Sequence, residues 1–143
     1  LNLVQRSLDY YSKDEYTPIR NIPIFVSMLK TYIHAFGYAI SGIVSFVRTE
    51  RNAKLHLTAA TAACVVGAYV GIAATEWLGV ASAVTIVIVS EMINSTIEKL
   101  CNKITTEQDS EIAVIKDIAA GFVLVSSLYA LIIAAIIFVP KLF

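Results

Sequence analysis

The sequence predicts an all-α membrane protein, with three transmembrane helices and an amphipathic surface helix before them. Hydrophobic residues make up 57% of the 143 residues, whereas roughly 45–50% is usual in soluble domains. Three long stretches carry almost no charge, and the segment before them shows a helical repeat of apolar side chains. The mean hydropathy of +0.73 is typical of the same class.

The surface helix is predicted over about residues 28–48. Apolar side chains recur there at intervals of three and four, which is the pattern of a helix with one apolar face. They are Leu29, Tyr32, Ile33, Phe36, Ile40, Ile43, Val44 and Val47. A fourth, short span is the alternative, because residues 31–47 also lack charge. The glycines and His34 in this segment argue against that alternative.

The three spans are predicted at about residues 55–75, 77–97 and 118–140. The first and third contain no Asp, Glu, Lys or Arg, and the second contains only Glu91. Each is about the 20 residues that a helix needs to cross a hydrocarbon core of about 30 Å. Trp77 opens the second span, and tryptophan is enriched at membrane interfaces.

Basic residues predict the orientation of the spans. They precede the first span and lie between the second and the third: Arg48, Arg51, Lys54, Lys99, Lys103 and Lys116. Loops rich in Lys and Arg stay in the cytoplasm, so the N-terminus and residues 98–117 are expected inside. Lys141 is then alone on the far side.

Residues 1–27 differ in composition from the rest, being mixed in charge and containing Pro18 and Pro23. We interpret them as a peripheral extension. The membrane-embedded domain is predicted to comprise residues 28–143, beginning near Met28.

Several functional classes are disfavoured. The formal net charge is zero and no basic cluster is present, so nucleic-acid binding is not expected. Cys64 and Cys101 lack the spacing of a redox or metal motif and are interpreted as free thiols. Gly67 and Gly71 have the spacing of a helix-packing motif. The sequence contains neither a P-loop nor a protein-kinase glycine loop.

The strongest functional signal is a polar face in the second span. Glu91, Asn94 and Glu98 are spaced at i, i+3 and i+7, so they lie on one face of a helix with Ser95 beside them. An acidic side chain inside a bilayer costs about 2.5 kcal/mol or more, and such residues usually mark a functional site. We therefore predict a site near the cytoplasmic end of this span.

Two further groups flank that face. Glu50 lies before the first span and is expected to approach Glu98, which would make an oxygen-rich site suited to Mg²⁺ and nucleotide phosphates. The alternative is that Glu50 only pairs with Lys54 four residues later. Lys116 and Asp117 are predicted at the start of the third span, where a lysine either holds phosphate oxygens or anchors the helix at the interface.

These motifs together resemble the small prokaryotic diacylglycerol kinase family, which includes undecaprenol kinases. The resemblance runs from about Phe36 to the end of the third span. It rests on three segments: Glu50-Arg-Asn-Ala-Lys-Leu-His56, Glu91-Met-Ile-Asn-Ser-Thr-Ile-Glu98 and Lys116-Asp-Ile-Ala-Ala-Gly121.

The resemblance implies a homotrimer in the bacterial cytoplasmic membrane, with active sites shared between subunits on the cytoplasmic side. The implied reaction is Mg²⁺-dependent transfer of the ATP γ-phosphate to a lipid alcohol, either diacylglycerol or undecaprenol. Glu91 would contact the lipid hydroxyl as the base, Asn94 would organise the site, and Glu50 and Glu98 would bind the metal and ATP. Further nucleotide contacts would come from Tyr38, Glu107, Asp109, Lys116 and Asp117.

The chain also differs from the family pattern. Asn102 stands where the family usually has Asp, and Glu107-Gln108-Asp109 replaces a Glu-Tyr-His loop. Thr31 stands near a position that is usually basic. Asn102 and the altered loop favour an alternative, a catalytically degenerate relative acting as a small structural membrane protein. Retention of the other site residues argues against it: Glu50, Glu91, Asn94, Glu98, Lys116 and Asp117. Trp77 and Ala119-Ala120-Gly121 resemble the undecaprenol kinase branch.

Overall fold

The protein is all-helical in a computed structural model that describes residues 24–105 and 107–142. The described residues form four helices. They are α1 (Ile24–Thr49), α2 (Arg51–Val70), α3 (Ala74–Ile104) and α4 (Ser110–Leu142). The predicted all-α class is therefore confirmed, and residues 1–23 of the predicted extension lie outside the described residues.

Three of these helices are long and apolar enough to cross a membrane. They are α2, α3 and α4, so the predicted count of three spans is confirmed for the described part of the chain. The alternative of a fourth span over residues 31–47 is not supported, since α1 does not meet the same criteria of length and composition. This chain is a multi-pass membrane protein.

The chain divides into two compact units between Ile40 and Ser41. In the first unit, α1 is already helical at Ile24, four residues before the predicted start. The apolar side chains of its predicted stripe, Tyr32, Ile33 and Phe36 among them, are exposed. Its position at a membrane surface stays a prediction.

The second unit contains the end of α1 and the three spans. Here α3 is the most buried of the three, and it packs extensively against α4 and less against α2. A small core of Ile72, Val80 and Ile137 lies at the end where α2 passes into α3. At the same end, Lys141 Nζ is 3.2 Å from Glu76 Oε2, which joins the start of α3 to the end of α4.

The turn between α2 and α3 explains the spacing of Gly67 and Gly71. Gly71 ends α2 with φ +68°, a left-handed conformation that glycine adopts without strain. The Ile72 amide then donates to the Gly67 carbonyl at 3.1 Å, as in a Schellman cap. A Cβ on Gly67 would lie 3.1 Å from Trp77 Cη2, so this glycine makes room for the indole ring. The motif is structural, as predicted. Its two glycines end α2 and leave space for the Trp77 side chain.

Both long helices extend beyond their predicted spans. The 31 residues of α3 and the 33 residues of α4 correspond to about 46 and 50 Å of helix, more than a hydrocarbon core of about 30 Å requires. The helix α4 begins at Ser110, where Asp109 Oδ1 accepts the amides of Glu111 and Ile112 at 2.8 and 3.0 Å. Lys116 is therefore nearly two turns inside α4, and its place at the start of the membrane-spanning part of this helix stays a prediction.

Candidate active site

The polar face of α3 is buried from Glu91 to Ser95. Glu91 is only 2% exposed, and Asn94 and Ser95 are 5% exposed each. Glu91 Oε2 and Asn94 Oδ1 have no hydrogen-bond partner among the described residues. A buried carboxylate or amide oxygen without a partner is destabilising and needs an explanation. Both oxygens therefore remain available to accept a hydrogen bond.

The same face becomes exposed one turn further along. Asn94 Nδ2 donates to Glu98 Oε1 at 3.3 Å, and Glu98 itself is exposed. The amide thus joins the buried Glu91 end of the motif to the exposed Glu98 end. This arrangement confirms that the three residues share one face of a helix.

Glu50 is the one residue between α1 and α2, and its backbone is extended. Its Oε1 lies 2.7 Å from Lys99 Nζ, and the Thr49 hydroxyl donates to the same oxygen at 3.1 Å. The ion pair with Lys99 lowers the pKa of the Glu50 carboxyl, with burial opposing and Thr49 assisting. Glu50 therefore lies beside α3, in contact with Lys99, which is the residue after Glu98.

The alternative pairing of Glu50 with Lys54 is wrong. Glu50 precedes the first helical residue of α2, so the spacing of i and i+4 on a helix does not apply to it. In the sequence, Lys99 contributes only to the prediction of membrane orientation. Its position directly after Glu98 was the available signal, but no local rule joins residues 50 and 99.

Oxygen donors are present near Glu98, but they do not form a dense cluster of metal ligands in the described part of the chain. No group of three His, Cys, Asp or Glu side chains comes together among the described residues. Mg²⁺ does not need such a group, because it is usually bound by one or two carboxylates, water and substrate phosphates. Glu50, Glu98 and the Asn94 carbonyl oxygen are donors of this hard type. Cys64 and Cys101 are free thiols, as predicted.

A second polar region lies between the end of α3 and the start of α4. It is an open cleft of about 760 Å³. Its lining includes three residues predicted to contact nucleotide: Glu107, Asp109 and Lys116. Lys116 Nζ donates to Asn102 Oδ1 at 2.7 Å, so the residue that departs from the family pattern directs the lysine of the cleft.

Two predicted nucleotide contacts remain. Asp117 is exposed and does not line the cleft, and Tyr38 is on α1 in the first compact unit. Asp109 lines the cleft, and one of its oxygens caps α4. The structure thus groups Glu50, Glu91, Asn94 and Glu98 around α3, and Glu107, Asp109 and Lys116 around the cleft.

Comparison with known proteins gives two matches. The family model described as prokaryotic diacylglycerol kinase matches residues 37–138. Undecaprenol kinase from Bacillus subtilis (strain 168) is 33% identical over 114 residues, which cover 80% of this chain and 93% of that relative.

The chain belongs to the prokaryotic diacylglycerol kinase family. It is therefore a lipid kinase, and ATP is the phosphoryl donor that this kinase family implies. All the site residues described above fall within the part that matches the diacylglycerol kinase model, from Tyr38 to Asp117. The resemblance inferred from the three sequence segments is confirmed.

Proposed function

We propose that this lipid kinase transfers the γ-phosphoryl group of ATP to the hydroxyl of diacylglycerol or undecaprenol, with Mg²⁺, on the cytoplasmic side of a bacterial membrane. The observation that carries the proposal is the buried carboxylate of Glu91, which has an unpartnered oxygen on a membrane-spanning helix. Intramembrane carboxylates are retained where they act. A base for a lipid hydroxyl needs this position, at the depth where a lipid headgroup meets the protein.

The reaction requires one proton acceptor. The lipid oxygen forms a bond to the γ-phosphorus, and the bond from this phosphorus to the oxygen bridging to the β-phosphorus breaks. ADP leaves with the electron pair, and the hydroxyl proton passes to the Glu91 carboxylate. Most of the remaining catalysis is positioning and charge stabilisation, as in other phosphoryl transfers. Asn94 holds Glu98 in place by a hydrogen bond from its side-chain amide. Its side-chain carbonyl oxygen has no partner among the described residues and can accept a further hydrogen bond.

Glu50 and Glu98 are the proposed metal ligands. When bound, Mg²⁺ would neutralise phosphate charge. Glu50 reaches this region because the break between α1 and α2 leaves it extended beside Lys99.

The cleft between α3 and α4 is the proposed nucleotide site. Lys116 provides a positive charge there, and Asn102 orients its ammonium group without neutralising it. Glu107 and Asp109 line the cleft. Tyr38 and Asp117 would complete the nucleotide contacts in a homotrimer whose sites are shared between subunits.

Undecaprenol is the favoured lipid. The match to an undecaprenol kinase supports this choice, together with the small residues Ala120, which is exposed, and Gly121, which is partly exposed. Small residues let a lipid chain or another helix lie close to the backbone. We expect undecaprenol to compete at least as well as diacylglycerol.

The test is a kinase assay on purified protein in detergent–lipid micelles, with labelled ATP and either lipid. Glu91→Gln and Glu98→Gln should each reduce turnover by at least about 10²-fold on both lipids, because one loses the base and the other a ligand charge. Glu111→Gln is the control, since it removes an exposed acid from the first turn of α4. Near-normal turnover in either of the first two variants would refute its assigned role.

A further inference from the structure

Lys99, on α3, contacts the junction between α1 and α2. Its Nζ lies 2.7 Å from Glu50 Oε1 and donates to Thr49 Oγ1 at 3.3 Å. Thr49 is the last residue of α1, and Glu50 is the residue between α1 and α2. The ammonium group therefore lies at the C-terminal end of α1, where the helix dipole favours a positive charge.

The Glu50 carboxylate is directed by this contact and not by the helix that it precedes. Glu50 is the N-cap residue of α2, but its side chain makes no capping hydrogen bond. An acidic side chain at this place is ordinarily attracted to the free amides of the helix N-terminus. Here Lys99 and Thr49 bind the carboxylate instead, and the hydrogen bond from Lys99 is the main cause of the lowered pKa of Glu50.

The backbone at Glu50 has its own anchors. Phe46 and Ala53 are buried on either side of it, and the Glu50 amide donates to the Phe46 carbonyl at 2.9 Å. Packing therefore places the backbone, and the flexible side chain is what Lys99 places.

We propose that Lys99 is a positioning residue, which holds the Glu50 carboxylate beside α3 while the site is empty and releases it when Mg²⁺ and nucleotide bind. The proposal rests on the metal role given to Glu50 above. A divalent ion that binds this oxygen replaces one cationic partner by another. Thr49 Oγ1 remains as an acceptor for the released ammonium group.

The exposure of the pair suits a contact that has to break. The Lys99 side chain is 57% exposed and that of Glu50 is 22% exposed, so water screens their attraction. A fully buried pair would resist separation, because each partner would be left as an unpaired charge away from water. Here the released ammonium group passes into water.

Zero-length cross-linking tests the release directly. A water-soluble carbodiimide joins a carboxylate to an amine in contact with it, and it takes up the water that the new amide bond releases. Ligand-free wild-type protein should form a Glu50–Lys99 amide, identified by mass spectrometry of the digested chain. Mg²⁺ with the non-hydrolysable analogue adenylyl imidodiphosphate, at about ten times its Kd, should lower the initial rate about tenfold. The Glu76–Lys141 pair, at 3.2 Å, is the internal control and should cross-link equally with and without the analogue.

Lys99→Arg and Lys99→Met test the positioning, since neither variant can form the cross-link. Arginine keeps an ion-pair partner for Glu50, whereas methionine keeps only an apolar side chain. Without nucleotide, carbodiimide and glycinamide should label Glu50 in Lys99→Met up to about fivefold faster than in Lys99→Arg, which is the limit for an exposed pair. Lys103→Met, four residues further along α3, should label Glu50 as the wild type does. The Glu76–Lys141 cross-link shows that each variant is folded.

Two results would overturn the proposal. One is equal labelling of Glu50 in Lys99→Arg and Lys99→Met. The other, in a wild-type protein that phosphorylates lipid, is a Glu50–Lys99 cross-link that magnesium and the analogue leave unchanged. Absence of lipid phosphorylation by the wild-type protein would refute the proposed function instead.

Discussion

At the scale of single residues, Lys99 forms an ion pair with Glu50, one of the two carboxylates that we propose as metal ligands. Lys99 Nζ lies 2.7 Å from Glu50 Oε1, and the lysine side chain is 57% exposed. An exposed pair of this kind contributes at most about 1 kcal/mol. Metal binding at Glu50 must displace or share this contact.

Lys99→Met should therefore lower the Mg²⁺ concentration needed for half-maximal activity. The expected decrease is up to about fivefold, which corresponds to about 1 kcal/mol of competition. Titration of kinase activity with Mg²⁺ at saturating ATP measures it. Lys103→Met is the control, because it removes the same charge from the exposed last turn of α3. A higher magnesium requirement in Lys99→Met would show that Lys99 assists binding.

Asn102 is the second residue whose role follows from one contact. Its side-chain oxygen accepts from Lys116 at 2.7 Å and sets the direction of the ammonium group. Asn102→Leu removes that acceptor, so the KM for ATP should rise severalfold with a smaller change in kcat. Hydrogen bonds to charged groups are worth about 1.5–3 kcal/mol at most.

Asn102→Asp is the conservative comparison for this prediction. It keeps an oxygen acceptor for Lys116, so the KM for ATP should stay within about threefold of the wild type, less than 1 kcal/mol. Steady-state kinetics with varied ATP distinguish the two variants. A fall in kcat with unchanged KM in Asn102→Leu would contradict a positioning role in nucleotide binding.

At the scale of elements, the contact of Gly67 with Trp77 holds the turn between α2 and α3. A methyl group on Gly67 would approach Ile72 Cδ1 to 3.0 Å and the indole ring to 3.1 Å. Gly67→Ala should therefore lower the free energy of unfolding by about 1–3 kcal/mol. Trp77 is the only tryptophan of the chain, so its fluorescence during unfolding reports on this turn directly.

Gly42→Ala is the matched control for Gly67→Ala. It lies inside α1, where an added Cβ meets nothing within 4 Å. Alanine is preferred over glycine in a helix by up to about 1 kcal/mol, so this variant should be unchanged or slightly more stable. Equal stability of both variants would show that the indole moves aside without cost.

At the scale of the whole molecule, the two ends of the three-span bundle differ in character. One end is joined by the apolar core around Ile72 and by the Glu76–Lys141 pair. The other end has the acidic face of α3 and the open cleft between α3 and α4. The positive-inside rule assigns the second end to the cytoplasm, where ATP is available.

This orientation can be measured by labelling single cysteines in a variant that lacks Cys64 and Cys101. Lys103→Cys should react with a membrane-impermeant reagent only after lysis, because the loop after α3 is expected inside. Thr75→Cys, an exposed position next to the Glu76–Lys141 pair, should react in intact cells. Reversed labelling would place the site on the wrong side for ATP.

The sequence by itself determined the helical class, the three spans and the acidic face of α3. Each depends on local information: runs of apolar residues, the helical period, and the cost of a carboxylate in a bilayer. Glu91 and Asn94 are predicted as site residues on this basis; both are buried, and their roles stay predictions. The helix ends were less predictable, since α3 and α4 continue past the apolar runs that marked the spans.

Only the tertiary structure decided which distant residues meet. Glu50 pairs with Lys99, which is 49 positions away in the sequence and beyond the reach of any local rule. Lys116 likewise forms a hydrogen bond to Asn102 on another helix. The apolar cavity lined by residues of α2, α3 and α4 likewise needs three helices to exist. Local periodicity shows which face of a helix is polar or apolar, but not which face of another helix lies opposite. That choice is made by the packing of all the helices together, because side chains must fill the space between them.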